Sequence, residues 1–380
     1  MNSPPRTQAP ERQEEQTTSR PRESAERKRG RRFDIGAWAP VLFFVLLVVV
    51  FGLAEPERFL STSNFTSIAN TDAILAIITL GLTVVLLTGE FDLSVGSTAS
   101  LGGALAAVMV ANQGISTGVT FAAVIGVGIL IGLLNGILVT YFRIPALIVT
   151  LAVASLLDGF TQMITGNEII FVGFTQSFLD LGGWQLGNLQ APVFYLAVIA
   201  VLLGIGLRYT ATGRHLHAVG GNREASRMAG IHVERHIILA FVISGVLAAL
   251  GGLIWSSRQG SMTPLFGTGF LLPAFAAAFL GSVTLRRGEF HVLGTIIGVY
   301  LIGTGTTGIL IVGGPTYAQQ LFAGAVLILA TAGSRVLGRG VSLRRQLGLD
   351  RRRAARSDGE ADQPVRKTSA TGGNTRPEDR

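Results

Sequence analysis

The chain has no cysteine among its 380 residues, and its only two lysines, Lys28 and Lys367, lie near its ends. The absence of cysteine excludes a disulfide scaffold, a thiol nucleophile and a cysteine-ligated metal site. No segment has the pattern G-x-x-x-x-G-K-[ST], in which loop amides and a lysine bind nucleotide phosphates. We therefore expect any ATP chemistry linked to this chain to come from a partner.

Charge is also scarce, since only 14% of the residues are charged whereas soluble domains have about a quarter. The chain is 48% hydrophobic, with a mean hydropathy of +0.49. Positions 36–334 contain 10 Arg and 11 Asp or Glu, a net charge of −1. The two tails therefore carry +9, and the sum is the total of +8. This composition argues against a water-soluble fold.

The two ends of the chain are rich in arginine and small polar residues and poor in large apolar ones. Such segments bury too little apolar surface to fold, so we expect residues 1–35 and 335–380 to be disordered, basic cytoplasmic tails. A pI near 10.7 is typical of nucleic-acid binding. The basic residues are not interleaved with aromatics on a helix, so we expect no nucleic-acid partner.

The region between the tails, residues 36–334, is predicted to be an all-α, polytopic membrane domain. A hydrocarbon core of about 30 Å requires about 20 apolar residues per helix. The first run follows some thirty polar residues, which favours an uncleaved span over a signal peptide. Ten spans are predicted, at 38–53, 68–87, 95–111, 119–141, 145–165, 192–207, 236–256, 269–284, 292–312 and 317–332.

Arginine is distributed unequally between the segments that connect these spans. With a cytoplasmic N-terminus, only Arg58 and Arg258 lie outside, which obeys the positive-inside rule. We therefore expect a multi-pass protein of the cytoplasmic membrane with both termini inside. The arginines predicted on the inner side are Arg143, Arg208, Arg214, Arg223, Arg227, Arg235, Arg286 and Arg287.

A short internal repeat is visible, because Gly89-Glu90-Phe91 recurs as Gly288-Glu289-Phe290, 199 positions later. Moving the first four spans by this distance places them close to the last four. We predict two parallel pseudo-repeats, about 38–141 and about 236–334, related by an axis along the membrane normal.

Two carboxylates and two hydroxyls lie between the second and third spans, in the run Glu90-Phe91-Asp92-Leu93-Ser94-Val95-Gly96-Ser97. Charge at membrane depth costs several kcal/mol, so these carboxylates must lie at an interface or in a polar cavity. Two interpretations stay open. Asp92 or Ser94 caps the next helix, or Glu90, Asp92 and Ser94 take part in the transport pathway or in a subunit contact.

The longest polar insertion between spans is residues 208–235. Asn222 is a suitable cap for a short helix with Glu224 in its first turn, and Gly230 can end that helix in the left-handed conformation. Such an exposed helix can bind in the groove of another protein. The alternative is an amphipathic turn that lies on the lipid headgroups.

Asn135 and Asp158 are the remaining polar candidates for a pathway, since polar groups within a bilayer need partners. For Asn135 we favour a helix-to-helix hydrogen bond. His232 and His236 have the spacing of metal ligands on a helix, but no third ligand is evident, so we expect no metal site.

Three segments together resemble the permease subunits of ribose- and xylose-type ABC importers, and the likeness extends from about residue 65 to 332. They are Glu90 to Gly96, Ile144-Pro145-Ala146-Leu147-Ile148-Val149-Thr150-Leu151, and Gly220 to Ala225 with Gly230-Ile231. The resemblance implies a non-enzymatic permease for a small polar solute, such as a pentose. It also implies self-pairing, an extracytoplasmic solute-binding protein, and a separate ATPase subunit that holds ATP and Mg.

In such permeases the segment that matches Gly220 to Ile231 contacts the ATPase. The resemblance therefore implies a coupling role for Gly220, Gly221, Asn222, Arg223, Glu224, Ala225, Arg227 and Gly230. The chain departs from the family at Asp158-Gly159, at Leu271-Leu272-Pro273-Ala274, where many relatives have Glu-Leu-Asp-Ala, and at Arg286-Arg287. These departures bear on the solute and not on the transporter assignment.

Two other classes of function are alternatives. An ion-coupled secondary transporter needs a carboxylate buried within a span, for which Asp158 is the candidate. An intramembrane enzyme needs a convergent set of nucleophile, base or metal ligands, and the sequence offers none.

Overall fold

The computed structural model describes residues 35–284 and 289–332. Apart from Ile35, the predicted disordered tails lie outside the described residues, and so do Arg286, Arg287 and Gly288. The described part is almost entirely helical, with one hairpin of Gln185–Leu186 and Leu189–Gln190 and a single bridge between Ile170 and Met262. The all-α prediction is confirmed.

The helices follow one another with short connections. A π-helical turn, Val108–Asn112, extends α4, and a 3-10 helix, Phe266–Phe270, precedes α12. The α-helices are α1 Ile35–Ala54, α2 Pro56–Phe59, α3 Thr62–Leu87, α4 Val95–Ala107, α5 Thr117–Thr140, α6 Ala146–Thr165, α7 Gln176–Gly183, α8 Ala191–Tyr209, α9 Ala211–Gly221, α10 Arg223–Met228, α11 Val233–Gln259, α12 Leu271–Thr284, α13 Val292–Ile311 and α14 Thr316–Ala332.

Every predicted span coincides with a helix. Eight helices or helix pairs are long and apolar enough to cross a membrane, namely α3, α4 with its π turn, α5, α6, α8, α11, α12 with the preceding 3-10 helix, and α13. The first and last predicted spans coincide with shorter apolar helices, Val41–Ala54 and Thr316–Ala332. The polytopic architecture is therefore confirmed.

Helices α3 and α11 lie at the centre of the bundle, where α11 packs against α3, α4 and α5. Glycines let α5 approach α11 closely. A Cβ at Gly128 would lie 2.7 Å from the carbonyl oxygen of Gly245, and a Cβ at Gly136 would lie 2.7 Å from the Cα of Ile238. Close backbone packing of this kind is common between membrane helices. By contrast, Gly126 faces open space.

The two parallel repeats stay a prediction, and the helix packing can be described in terms of them. A shift of 199 positions relates α1, α3, α4 and α5 to α11, α12, α13 and α14. Helix α11 packs on α3 to α5, and α1 packs on α12 and α13, with Phe43 stacked on Phe322 of α14. The first helix of each predicted repeat thus packs against helices of the other predicted repeat. Thr83 at the end of α3 bonds Thr295 at the start of α13, so α13 and α4 begin on the same face and run in parallel.

The connections collect on two faces of the bundle. Residues 88–94, 141–145, 210–232 and 289–291 lie on one face, which we call the arginine-rich face. The segments 55–61, 113–116, 166–190 and 260–270 lie on the opposite face, where Arg258 bonds Gln190. Within the described ranges, six arginines occupy the first face (143, 208, 214, 223, 227 and 235) and two the second (58 and 258).

Candidate functional site

The polar insertion on the arginine-rich face folds into two helices. Thr210 caps α9 by accepting a hydrogen bond from the N–H of Gly213 at 3.1 Å. Asn222 caps α10 by accepting from the N–H of Ala225 at 3.0 Å, and Gly230, with φ +81°, ends it in the left-handed conformation. Both predicted caps of the second helix are confirmed. Helix α9 was not predicted.

Helix α10 has only six residues, too few to be stable in isolation, and it presents nearly all of them to the outside. Within it only Ser226 is buried, whereas Glu224, Arg227 and Met228 are exposed. Met228 is 84% exposed, and such a flexible apolar side chain adapts readily to a protein surface. The helix is therefore held in place by its neighbours and leaves a free surface.

The inner side of this segment rests on the α3–α4 loop, residues 88–94. An added Cβ at Gly220 would overlap the carbonyl oxygen of Leu87, so α9 touches the end of α3 directly. The Arg223 guanidinium donates to Glu90 Oε1 at 2.6 Å and to the Thr88 carbonyl at 3.2 Å. The structure thus joins two motifs that lie more than 130 positions apart in the sequence.

Behind Glu90, the Asp92 carboxylate is buried and fully hydrogen-bonded. Its Oδ1 accepts from the N–H and the hydroxyl of Ser94, at 3.0 and 2.6 Å, and its Oδ2 accepts from the hydroxyl of Ser244 on α11 at 2.8 Å. Burial raises the pKa of the Asp92 carboxyl, and these hydrogen bonds oppose that change. The carboxylate fixes the start of α4 against α11.

The two residues proposed as helix caps act differently. Ser94 occupies the cap position of α4 but makes no side-chain bond to the helix, because its hydroxyl donates to Asp92. Asp92 binds the N–H of Ser94. Capping by Ser94 is therefore wrong, and capping by Asp92 holds only for the N–H of the cap residue itself.

Asn135 extends this buried network to α5. Its Nδ2 donates to Ser94 Oγ at 2.9 Å, while its Oδ1 has no hydrogen-bond partner within the described residues. The interaction is the helix-to-helix hydrogen bond that the sequence favoured for this residue. Asp92, Ser94, Asn135 and Ser244 together tie α4, α5 and α11 to the loop that carries Glu90.

Two residues of the site were missed from the sequence. Thr150 of α6 accepts a hydrogen bond from the N–H of Leu93 at 3.1 Å, and Ser244 of α11 binds Asp92. Thr150 belongs to the 144–151 run that carries the family resemblance, so the sequence could have indicated this residue as part of the site. Ser244 is a single hydroxyl in an apolar helix and no sequence pattern distinguishes it.

Asp158 is not part of this site. It lies half-buried on α6, and its Oδ1 is buried without a hydrogen-bond partner in the described part of the chain. A second polar group, missed from the sequence, lies at the opposite face. There Asn70 binds the backbone of Asn188 and Gln190, and Arg258 binds the side chain of Gln190 at 2.6 Å.

The histidines do not form the pair suggested by their spacing. The ring of His236 has two hydrogen-bond partners: its Nε2 lies 3.2 Å from Nδ1 of His215 on α9, and its Nδ1 lies 2.8 Å from the backbone carbonyl oxygen of His232. Across 35–284 and 289–332, no group of three or more His, Cys, Asp or Glu side chains is placed to hold a metal ion.

Comparison with known proteins identifies the family. Residues 64–331 match a family model described as the permease component of a branched-chain amino acid transport system. The chain belongs to this family of importer permeases. The match extends from the third residue of α3 to the next-to-last residue of α14, and it includes both the α3–α4 loop and α10.

Similar curated proteins are also permeases. The ribose import permease protein of Escherichia coli (strain K12) is 34% identical over 310 residues, which cover 79% of this chain and 95% of the relative. The D-allose transport system permease protein of the same organism is 32% identical, with 78% and 91% covered. The autoinducer 2 import system permease protein of Salmonella paratyphi B (strain ATCC BAA-1250 / SPB7) is 32% identical, with 76% and 83% covered. No solved structure matches the chain.

Proposed function

We propose that this permease is the membrane-spanning subunit of an ABC importer that carries a monosaccharide, such as a pentose, across the cytoplasmic membrane. A separate ATPase subunit binds ATP and Mg, and an extracytoplasmic binding protein delivers the solute. Two copies of the permease enclose the pathway. By the positive-inside rule, the arginine-rich face is cytoplasmic, so both termini lie inside.

The observation that carries this proposal is the two-sided arrangement of the α9–α10 segment. Its inner side, Gly220 and Arg223, is fixed on the end of α3 and on Glu90. Its outer side, with Gly221, Glu224, Arg227 and Gly230, is exposed, and a Cβ at Gly221 or Gly230 would meet open space. A segment with these two sides can bind a partner protein on its outer side and move the rest of its own chain through its inner side.

In the mechanism, closure of the ATPase subunits on ATP displaces α10. Because Arg223 binds Glu90, the displacement reaches the α3–α4 loop. The loop is bonded to α6 through Thr150 and to α5 and α11 through Asn135 and Ser244, so these helices move with it. The pathway between two copies then opens to the other side. This is a bistable switch of packed helices, as in other transporters.

Loss of the exposed contact tests the coupling role. Glu224→Arg reverses a charge in the first turn of α10, and Gly221→Trp adds bulk at an open position, so both should insert normally and fail to recover the ATPase subunit. The matched control, Glu168→Arg, reverses an exposed charge on the opposite face. Normal uptake and ATPase recovery in both test variants would refute the coupling role.

The solute is inferred from the names of the relatives, which import ribose, allose and autoinducer 2. The family description names branched-chain amino acids instead. Uptake of labelled ribose into proteoliposomes that contain the full complex distinguishes these classes. We expect inhibition by unlabelled pentoses and no inhibition by leucine, and the reverse result would assign an amino acid.

An ion-coupled secondary transporter is the second candidate, because Asp158 places an unpartnered carboxylate oxygen within α6. Such a carboxylate can bind a proton or a sodium ion. Uptake that survives ATP depletion and collapses with an uncoupler would support this candidate. Uptake that needs ATP and tolerates the uncoupler, together with normal activity of Asp158→Asn, would exclude it.

A further inference from the structure

A cleft of about 910 Å³ lies on the arginine-rich face, between the end of α8, the start of α9 and the start of α13. It is separate from the α3–α4 loop, and no residue of the α9–α10 segment after His217 lines it. Its size is in the range of small-molecule sites in proteins.

The part of the cleft within the membrane is apolar. Val201, Gly204 and Ile205 of α8 and Leu293 of α13 form its walls, and Val201, Ile205 and Leu293 are more than half exposed. Helix α8 is the least buried of the eight long spans. An exposed apolar wall on a membrane span is in contact with acyl chains, since no water is available there.

The outer rim of the cleft is basic. Arg208, Arg214, His217 and His291 line it. Arg214 donates to the backbone carbonyl of Tyr209 at 3.2 Å, and the Arg208 guanidinium lies 5.4 Å from the centre of the Tyr209 ring. Neither arginine forms an ion pair with a carboxylate among the residues that the structure describes. Both guanidinium groups are therefore available for an anion.

We propose that this cleft binds one anionic phospholipid, with its phosphate on the arginine rim and its acyl chains along α8 and α13. Arginine binds phosphate oxygens with short, charge-assisted hydrogen bonds. Basic clefts between membrane helices on the cytoplasmic side are suited to anionic headgroups. A neutral sugar would match neither the positive rim nor the apolar wall. The inference needs only a membrane protein, so its failure leaves the proposed transport function untouched.

Native mass spectrometry of the detergent-purified full chain tests the role of charge. Dioleoylphosphatidylglycerol should be retained and dioleoylphosphatidylcholine should not. Arg208→Gln and Arg214→Gln should each weaken binding by about fivefold. The control, Arg235→Gln, removes an exposed arginine from the same face, outside the cleft, and should leave binding unchanged. Equal retention of the two lipids, or an equal loss in the control, would overturn the proposal.

A pair of glycines on α8 tests the location. A Cβ at Gly204 or at Gly206 would meet no atom within 4 Å, so both positions have open space beside the backbone, but only Gly204 lines the cleft. Gly204→Leu should lower retention of phosphatidylglycerol by about tenfold, and Gly206→Leu should not. A third measurement adds inorganic phosphate, at the same concentration as the lipid, to the protein with bound phosphatidylglycerol. If phosphate displaces the lipid completely, the site is for a free anion and the lipid assignment is wrong.

Discussion

The two sides of the α9–α10 segment differ in what holds them. On the inner side, Arg223 pairs with a Glu90 carboxylate whose side chain is 12% exposed, and the two residues lie 133 positions apart. On the outer side, Arg227 pairs with Glu234, seven positions away, and both side chains are more exposed. The inner ion pair links the α9–α10 segment to the α3–α4 loop of the membrane bundle. The outer ion pair links the segment only to the first turn of α11, which follows it directly in the chain.

Because of this difference, substitutions on the two sides should have different effects. Changes on the inner side should destabilise the isolated subunit, because they disturb contacts made within the chain. Changes on the outer side should leave the subunit intact and affect only its partner. The unfolding of the purified subunit and the recovery of the ATPase therefore report on different sides.

The largest effect is expected for Asp92→Ala, in the buried network of the α3–α4 loop on which the inner side packs. Loss of a buried carboxylate that accepts three hydrogen bonds should lower the free energy of unfolding by about 2–4 kcal/mol. Thermal unfolding in detergent measures this. The control, Asp180→Ala, removes an exposed carboxylate from the opposite face and should change stability by less than about 0.5 kcal/mol. Equal midpoints for the two variants would contradict the network.

Adjacent glycines give the next comparison. Gly220→Ala places a methyl group against the Leu87 carbonyl, whose carbon would lie 2.9 Å from the new Cβ, and should destabilise the subunit by about 1–3 kcal/mol. Gly221→Ala meets no atom within 4 Å and should be tolerated. The same thermal unfolding assay compares them. If both are tolerated, α9 does not rest on α3 as described.

A charge exchange tests the link between the segment and the loop. Arg223→Glu and Glu90→Arg each place like charges together, and each should lower ATP-driven uptake by about fivefold, with a stability loss of about 1 kcal/mol or less because Arg223 is 43% exposed. The double variant restores an opposite-charge pair and should recover most of the uptake. A double variant that is no better than the singles would argue against direct transmission through this pair.

The smallest effect on stability is expected for Arg227→Gln. Its ion pair with Glu234 is local and exposed, so the unfolding midpoint should stay within the equivalent of about 0.5 kcal/mol. Recovery of the ATPase should nevertheless fall, because Arg227 is on the outer side. Loss of stability without loss of ATPase recovery would reverse our division of the segment.

Much of this architecture could be predicted, because membrane spans depend on local composition. All ten predicted spans coincide with helices, and Asn222 and Gly230 act as caps because cap chemistry involves only the next few residues. The interpretation of Ser94 as a cap failed because its hydroxyl donates to Asp92 instead of accepting from the helix. Asp92 is held in place by Ser244 of α11, which lies 152 positions away and is not visible in the local sequence.

Hydropathy, charge and capping are properties of short segments, so they were enough to predict a polytopic helical protein, its arginine asymmetry and the position of the short exposed helix. The packed helices were needed to show that Arg223 meets Glu90, that Gly220 contacts the end of α3 and that Ser244 and Thr150 support the α3–α4 loop. These contacts join residues that are distant in the chain, and they depend on how the helices pack. Helix packing is set by the fit of whole surfaces, which no local pattern encodes.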